Sequence, residues 1–531
     1  MIFLKKRFLL IFLFLFFIIG SQNSLKNGIS MDEIYENENW KIQKNISINI
    51  FNHYILGKPF EEKFQKNFET NFLGYGIGFQ IISQPIQHFV KDIIIKNQSL
   101  TKEGALILSK HFVVFLFFFI SGIFFYLILR KILENEIFCS LGLVIYLTYP
   151  YLYGQSLFSP KDVPFMSVWV ICTYFNFNIF EKLFNKSKIN IFETLSFSFF
   201  TAYLFSIRIA GILILIQYLI ALILYLNLFK PNIMQFTKKY FKIFILFLLS
   251  LISFIYLLHP PFWLNPFLFF DTINTMSNYH NNVGTNTFGK IMYATDLPPT
   301  YLLIWFIVKL PLLIIVGILL IPFSEKKIFT NNKVSTIFGT LLLSAIIIPL
   351  ILIIRKTHFY DELRHVMFLI PLIFIVSLVS LFKFSKKIFY IFGPLTICLF
   401  LIENIKINPY QYVWFNLPSR TVDLSNKFEL DYQGLSGREI SKYLETFDRQ
   451  NYCILANPIH GVKPFLNNTK FNCYDIWQKI DSGFKRPFLA VQTVRNIKKS
   501  MPYKCKSIFE TSFKLLFHEK KFTTGKLLIC E

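Results

Sequence analysis

Acidic residues are scarce in this chain. Its 531 residues include 31 Asp and Glu against 55 Lys and Arg, which gives a formal net charge of +24. Such an excess is typical of nucleic-acid-binding proteins and of membrane proteins whose basic residues gather at one membrane face. Charged residues make up only 16% of the chain, whereas hydrophobic residues make up 54% and include 66 Phe. That balance excludes an ordinary soluble domain, and because the basic residues flank apolar runs, we predict no nucleic-acid partner.

The sequence also lacks the patterns of two common ligand sites. No two histidines between His259 and Pro299 stand at the spacing that a zinc site uses. Gly74, Gly76 and Gly78 do not form a phosphate-binding loop, because no strand precedes them and the third glycine is misplaced. We therefore predict neither a metal site nor a cofactor, and leave open whether a divalent metal ion assists.

Apolar runs long enough to cross a bilayer are abundant. We predict eleven membrane-spanning helices, at residues 8–20, 112–129, 137–153, 163–180, 191–207, 209–229, 243–258, 301–323, 334–354, 364–382 and 388–402. Every second boundary is basic, beginning with Lys5, Lys6 and Arg7, so the positive-inside rule predicts a cytoplasmic N-terminus and an extracytoplasmic C-terminus. A cleaved signal peptide is the alternative for residues 1–20, and it would leave the outer loops in place.

The composition changes after residue 402. No apolar run of spanning length follows, and short apolar runs predict strands at 452–456, 487–493 and 526–530, with a helix at 437–447. We predict a transmembrane domain at 1–402, whose first outer loop covers 21–111, and a small extracytoplasmic α/β domain at 403–531.

Four cysteines lie in this second region, in a compartment that permits disulfides: Cys453, Cys473, Cys505 and Cys530. Three pairings are possible, and we favour Cys453 with Cys473. The remaining cysteines lie inside predicted spans and are expected to pack against neighbouring side chains.

Charged residues at the predicted outer face form the candidate site. Asp32 and Glu33 follow the first span, where a carboxylate can serve as a general base, and helix capping is the alternative role. Lys161 and Asp162 stand between two apolar runs, where charges are usually functional, although a helix start could hold them as a self-neutralising pair. Arg208 interrupts a long apolar stretch and requires an anionic partner.

Two further outer loops carry polar and aromatic residues. The third loop contains His259 and His280 among aromatic side chains, which suits a lid or a carbohydrate surface. The fourth loop contains Tyr360, Arg364 and His365, and its arginine offers a planar fork to phosphate oxygens. Ordinary anchoring at the headgroup layer is an equal alternative for this loop.

The order of these parts resembles the GT-C glycosyltransferases that use polyprenyl-phosphate sugars. The resemblance is to the bacterial branch of protein O-mannosyltransferases and lipid A aminoarabinose transferases, a glycosyltransferase family 39-like group. The similar segments are Asp32-Glu33, Ser159 to Pro164, Tyr301 to Leu312, Tyr360 to His365, Asn408 to Asn416 and Phe428 to Tyr432. The chain departs from the family pattern at Ser159, where asparagine is frequent, and at Gln433, where tryptophan often follows the Asp-Tyr pair.

The resemblance implies a polytopic enzyme of the GT-C type in the bacterial inner membrane. It would move a hexose or pentose from a polyprenyl-phosphate donor to an envelope acceptor, which could be a protein, lipid A or a polysaccharide. Asp32 would be the base with Glu33 as the fallback, and Asp162 would support the acceptor or Lys161. Lys161, Arg208 and Arg364 would hold the lipid phosphate as it leaves.

A multi-pass transporter or flippase of an anionic lipid or solute is the rival interpretation. Lys161, Asp162 and Arg208 would then line a path rather than a reaction site. The long first outer loop and the C-terminal domain favour the enzyme, as does the absence of a visible inverted repeat.

Overall fold

Long helices dominate the computed structural model, which describes residues 2–60, 76–97, 100–278, 283–446, 452–466, 473–476, 487–493 and 504–530. The helices of the first half are α1 Ile2–Lys26, α2 Glu33–Leu56, α3 Gly78–Asn97, α4 Lys102–Ile132, α5 Glu136–Thr148, α6 Pro150–Ser156, α7 Asp162–Phe184, α8 Ile191–Ile207, α9 Ile214–Phe229, α10 Ile233–Leu257, α11 Pro261–Leu264 and α12 Leu268–Asn278. A short antiparallel hairpin follows, formed by β1 Gly284–Thr287 and β2 Lys290–Tyr293.

The second half adds further helices and a sheet. Its helices are α13 Tyr301–Lys309, α14 Leu312–Leu319, α15 Ile321–Ile328, α16 Asn332–Ile354, α17 Ile370–Phe384, α18 Lys386–Lys406, α19 Leu424–Lys427 and α20 Gly437–Thr446. Its strands are β3 Cys453–Asn457, β4 Cys473–Ile476, β5 Phe488–Thr493, β6 Cys505–Phe513 and β7 Phe522–Cys530. The predicted fold class, a polytopic helical membrane protein with a small C-terminal α/β domain, is confirmed.

Each of the eleven predicted spans has a helical counterpart. By length and composition, eight helices of the described residues can cross a membrane, or up to ten if each of two bent pairs is one span. The eleventh counterpart, α8, is a shorter apolar helix of 17 residues.

The two bent pairs differ from the straight spans predicted at 137–153 and 301–323. Between α5 and α6 the chain bends by 60°, and between α13 and α14 it bends by 117°. Pro150 and Pro311 stand at these breaks, and a proline lacks the N–H that would continue the hydrogen bonds of the preceding helix. Both breaks leave irregular backbone, which is tolerated at membrane depth only where protein covers it.

The C-terminal sheet has the strand order β4-β3-β5-β7-β6. Strand β3 is parallel to β4 and β5, whereas β7 is antiparallel to β5 and β6. Cys505 and Cys530 form a disulfide across β6 and β7, and Cys453 is disulfide-bonded too. Cys473 stands opposite Cys453 in the strand register, but its side chain lies outside the described residues. The favoured pairing and the boundary at residue 402 therefore stay predictions.

Contacts from the C-terminal region hold the segment that precedes α2. The Met31 amide donates to the Gln433 carbonyl at 3.0 Å, and Arg438 donates to two carbonyls around the end of α1 at 2.8 Å each. A ring nitrogen of His460 lies 3.1 Å from the Met31 carbonyl oxygen. Gly28 is in backbone contact with Leu435, where a side chain on residue 28 would collide. Contacts from the C-terminal region therefore fix the position of Asp32.

Candidate active site

Five charged side chains meet at one end of the helix bundle. This ion-pair cluster consists of Asp32, Asp162, Arg208, Asp361 and Arg364. The Arg364 guanidinium is central, because it pairs with Asp32, places its Nε 3.3 Å from Asp162 Oδ2, and donates from Nη1 to Asp361 at 3.1 Å. The second carboxylate oxygen of Asp162 pairs with Arg208. Four of these residues were predicted to share a site, and the structure brings them together.

Helix ends and breaks position the members of the cluster. Asp162 is the first residue of α7, where the partial positive charge of the helix N-terminus favours a carboxylate. Arg208 is extended, with φ −147° and ψ 136°, between the end of α8 and a 3₁₀ turn at Ile209–Leu213. The apolar stretch is therefore broken at Arg208, and the anionic partner that this arginine needs is Asp162.

Asp32 carries the accessible carboxylate of the cluster. Its side chain is 41% exposed, against 5% for Asp162 and 5% for Asp361. Asp32 stands immediately before α2, but its side chain makes no capping hydrogen bond and pairs with Arg364 instead. The capping alternative therefore does not describe Asp32, whose carboxylate keeps part of its surface accessible.

Glu33 has a different environment from its neighbour. Its side chain is fully buried and accepts from the Ser30 amide at 2.6 Å, with its other oxygen 2.6 Å from His111 Nε2. The contact with Ser30 ties the first residue of α2 to the segment that precedes the helix. Glu33 therefore acts as a positioning residue that fixes the start of α2 against α4.

Replacing Glu33 tests this assignment. We expect Glu33→Gln to lower the free energy of unfolding by about 1–3 kcal/mol, because a buried, charge-assisted contact with His111 is weakened. Thermal unfolding of the purified protein in detergent measures the loss. A variant with the melting temperature of the wild type and no turnover would instead identify Glu33 as the base.

Lys161 and Asp162 have separate partners. Lys161 Nζ lies 3.5 Å from Glu36 Oε1, whereas the two arginines hold Asp162. Burial lowers the pKa of Lys161 to about 8, and the nearby Glu36 carboxylate opposes that shift. Glu36 was not among the predicted site residues, although it follows Asp32 by about one helical turn and so lies on the same side of the chain.

A buried ion pair lies beside the cluster. Lys309 Nζ and Glu362 Oε1 are 2.9 Å apart, and both side chains are fully buried. The lysine ammonium lies 4.1 Å from the ring centre of Phe415 and 5.2 Å from that of Tyr151. Burial raises the pKa of Glu362 to about 8, although Lys309 opposes the shift. Both residues lie in family-like segments, but no sequence pattern indicates that they pair.

The backbone at Asp361 and Glu362 is strained. Their φ angles are +56° and +68°, in the left-handed region that non-glycine residues rarely adopt. The Asp361 amide donates to Thr285 Oγ1 at 2.9 Å, and the Glu362 amide donates to the Tyr301 hydroxyl at 3.1 Å. Two successive strained residues persist only where surrounding contacts hold them, and such residues cluster at functional sites. This turn directs Asp361 toward Arg364 and Glu362 toward Lys309.

The predicted aromatic and histidine residues divide into two groups. The Tyr360 ring centre lies 5.5 Å from Arg364 Cζ and 4.5 Å from the His365 ring, so both side chains border the cluster. His259 does not reach it: its Nδ1 contacts a carbonyl of α10 at 3.0 Å and its ring stacks on Phe262. Burial lowers the pKa of His259 to about 4, which is typical of a neutral packing residue. His280 lies outside the described residues.

The described side chains were also predicted to form no metal site. Within the described ranges, no three His, Cys, Asp or Glu side chains are grouped so that they could hold a metal ion. The expectation that the chain needs neither metal nor cofactor stays a prediction.

Comparisons with known proteins give similarity at the level of structure. No family model and no curated protein sequence matches the chain. One similar solved structure is ArnT from Cupriavidus metallidurans bound to undecaprenyl phosphate, with 11% identity, a TM-score of 0.42, and coverage of 83% of this chain and 87% of that one. Another is the same protein in the apo state, with 10% identity, a TM-score of 0.44, and coverage of 84% and 87%. The chain is thus similar to these two structures over most of its length.

Proposed function

We propose that the chain is a membrane glycosyltransferase that moves a sugar from a polyprenyl-phosphate donor to an envelope acceptor at the ion-pair cluster. One observation carries the proposal: the accessible Asp32 carboxylate lies directly beside the Arg364 guanidinium, in a site that also holds Arg208. Sugar transfer from a lipid phosphate requires a base for the acceptor and cations for the departing phosphate, and the cluster supplies both. The family-like segments at Asp32, Lys161 and Arg364 support the same reaction.

In the proposed reaction Asp32 takes the proton from the acceptor hydroxyl or amine. The freed electron pair forms a bond to the anomeric carbon of the sugar, while the bond from that carbon to the phosphate oxygen breaks. The lipid phosphate keeps that electron pair and leaves with increased negative charge. Lys161, Arg208 and Arg364 would stabilise that charge in the transition state.

Arg208 keeps a donor for such a ligand although it is already paired with Asp162. Its Nε is buried and has no hydrogen-bond partner among the described residues. A guanidinium has five N–H donors, and phosphate oxygens accept from two of them side by side. A phosphate that reaches Arg208 would therefore satisfy an atom that the folded protein leaves unpaired.

The pKa of Lys161 predicts a pH limit for turnover. The ammonium form is needed to hold phosphate, and it is lost as the pH rises through about 8. We expect turnover to fall above that pH in the wild type and to persist to higher pH in Lys161→Arg, since arginine stays protonated. A pH–rate profile of both proteins with a purified donor checks this. If turnover of the two proteins fell at the same alkaline pH, Lys161 would not be a phosphate-binding residue.

The proposal places the chain in a bacterial inner membrane with its N-terminus in the cytoplasm and the cluster outside. The Cys505–Cys530 disulfide supports this orientation, because disulfides persist in extracytoplasmic compartments. The basic span ends support it too, because they lie at the opposite end of the helices.

Mass spectrometry of envelope glycolipids and glycoproteins, with and without the chain, tests the function. We expect one sugar modification to disappear when the chain is absent, which identifies both the sugar and the acceptor class. Proteoliposomes separate the enzyme from the transporter: an enzyme consumes the donor lipid, whereas a flippase moves lipid across the bilayer and leaves it chemically intact. Movement without donor consumption would overturn the proposal.

A further inference from the structure

A cavity of about 530 Å³ lies where five helices end or begin, away from the ion-pair cluster. We call it the lysine pocket, and its lining consists of Leu133, Glu134, Asn135, Lys327, Phe382, Lys383, Phe384 and Lys386. These residues belong to the end of α4, the start of α5, α15, the end of α17 and the start of α18. Three lysines and one glutamate leave the lining with an excess of positive charge.

The lysine pocket lies one membrane thickness from the ion-pair cluster. Arg364 belongs to the cluster and Phe384 to the pocket, and a helical segment of 21 residues joins them. At 1.5 Å per residue this segment is about 30 Å long, which matches the hydrocarbon core of a bilayer. The pocket is therefore at the opposite membrane boundary, at the level of lipid headgroups.

The pocket lysines differ from other lysines at this end of the bundle. Glu181 pairs with both Lys131 and Lys333, so these two cations share one counter-charge within the protein. By contrast, Lys327, Lys383 and Lys386 make no ion pair with an acidic side chain of the described ranges. Their positive charge is therefore available to a bound anion.

Neighbouring groups hold two of these ammonium groups at the pocket. Lys327 Nζ donates to the Phe384 carbonyl at 3.4 Å, and Lys386 Nζ lies 5.7 Å from the ring centre of Phe382. Helices α5 and α18 both begin here, capped by Asn135 and Ser385. Helix N-termini carry partial positive charge, so they add to the field of the lysines.

We propose that the lysine pocket binds the phosphodiester headgroup of an anionic phospholipid. The net positive lining is complementary to a phosphodiester, and its place at the hydrocarbon boundary suits a ligand that arrives from the bilayer. Leu133, Phe382 and Phe384 provide an apolar wall for the first part of the acyl chains. This site is independent of the proposed sugar transfer, which takes place at the other membrane face.

Lipid binding to the full-length protein tests the proposal. Native mass spectrometry of the delipidated protein in detergent would titrate phosphatidylglycerol, with phosphatidylcholine and inorganic phosphate as comparison ligands. The pocket variant is Lys327→Gln/Lys383→Gln/Lys386→Gln, and the matched control is Lys238→Gln/Lys239→Gln/Lys242→Gln, which removes the same charge at the same end of the bundle. Since each interfacial lysine typically strengthens binding about fivefold, we expect phosphatidylglycerol to bind at least about tenfold more weakly to the pocket variant and nearly unchanged to the control.

Four outcomes would overturn the proposal. The pocket variant could bind phosphatidylglycerol as the wild type does, or the control could lose as much affinity. Phosphatidylcholine could bind as tightly as phosphatidylglycerol, which would remove the role of charge. Inorganic phosphate alone could compete fully, which would assign the pocket to a soluble anion. If the triple variant fails to fold, Lys383→Gln and Lys386→Gln singly should each weaken binding a few-fold, and unchanged binding in both would count against the site.

Discussion

Asp32→Asn is expected to abolish sugar transfer, lowering turnover by about 10²- to 10⁴-fold, the usual contribution of a positioned general base. Asparagine has nearly the same shape and still offers Arg364 an oxygen, but it does not take a proton at neutral pH. Turnover of a purified polyprenyl-phosphate sugar by membranes that contain the variant measures the loss. Because the Asp32 side chain is 41% exposed and Arg364 keeps Asp162 and Asp361 as partners, we expect the variant to fold and insert normally.

The matched control is Glu38→Gln, which removes an exposed carboxylate from α2, the helix that Asp32 immediately precedes. That variant should keep the turnover of the wild type. If Asp32→Asn also kept normal turnover, the assignment of the base would be wrong. If both variants lost activity equally, the charge of α2 rather than the position of Asp32 would be responsible.

Lys309→Met is expected to lower the free energy of unfolding more than Glu33→Gln does. The substitution leaves the Glu362 carboxyl buried without its cation, so the folded protein must keep that group protonated. Breaking one partner out of a buried ion pair typically costs about 3–5 kcal/mol.

The sign of the pH dependence distinguishes this cause from a simple packing defect. A raised carboxyl pKa in the folded state stabilises the protein at low pH, and that stability is lost as the pH rises. Because the pKa of Glu362 is raised to about 8 beside Lys309 and rises further without it, the penalty of Lys309→Met should stay nearly constant from pH 5 to 7 and grow by about 1.4 kcal/mol for each pH unit above about 8. Melting temperatures in detergent at several pH values measure it. Adding Glu362→Gln to Lys309→Met should restore most of the stability, and a pH-independent loss without such recovery would contradict the explanation.

Isolated charges were the part of the site that the sequence revealed. Asp32, Asp162 and Arg208 stand in or beside apolar runs, where a charge needs a functional or structural reason. Asp361 and Glu362 lie among many other polar residues, so nothing in their context marks them. Their roles depend on a left-handed turn and on contacts with Thr285 and Tyr301, which only the folded chain brings together.

The helical architecture was largely predictable, whereas its breaks were not. Run length and hydrophobicity determine where a helix can cross a membrane, and each predicted span has a helical counterpart. The bends at Pro150 and Pro311 were missed because an apolar run looks the same whether or not it bends. A proline permits a kink, but the packing of neighbouring helices decides its angle.

The anchoring of residues 28–31 by Gln433, Arg438 and His460 has a consequence for biosynthesis. The ribosome makes the Asp32 segment more than four hundred residues before it makes these anchors. Because domains of a nascent chain fold in order of synthesis, the contacts that hold Asp32 cannot form until the C-terminal region has been made. Truncated products would insert their early helices but leave Asp32 without these anchors.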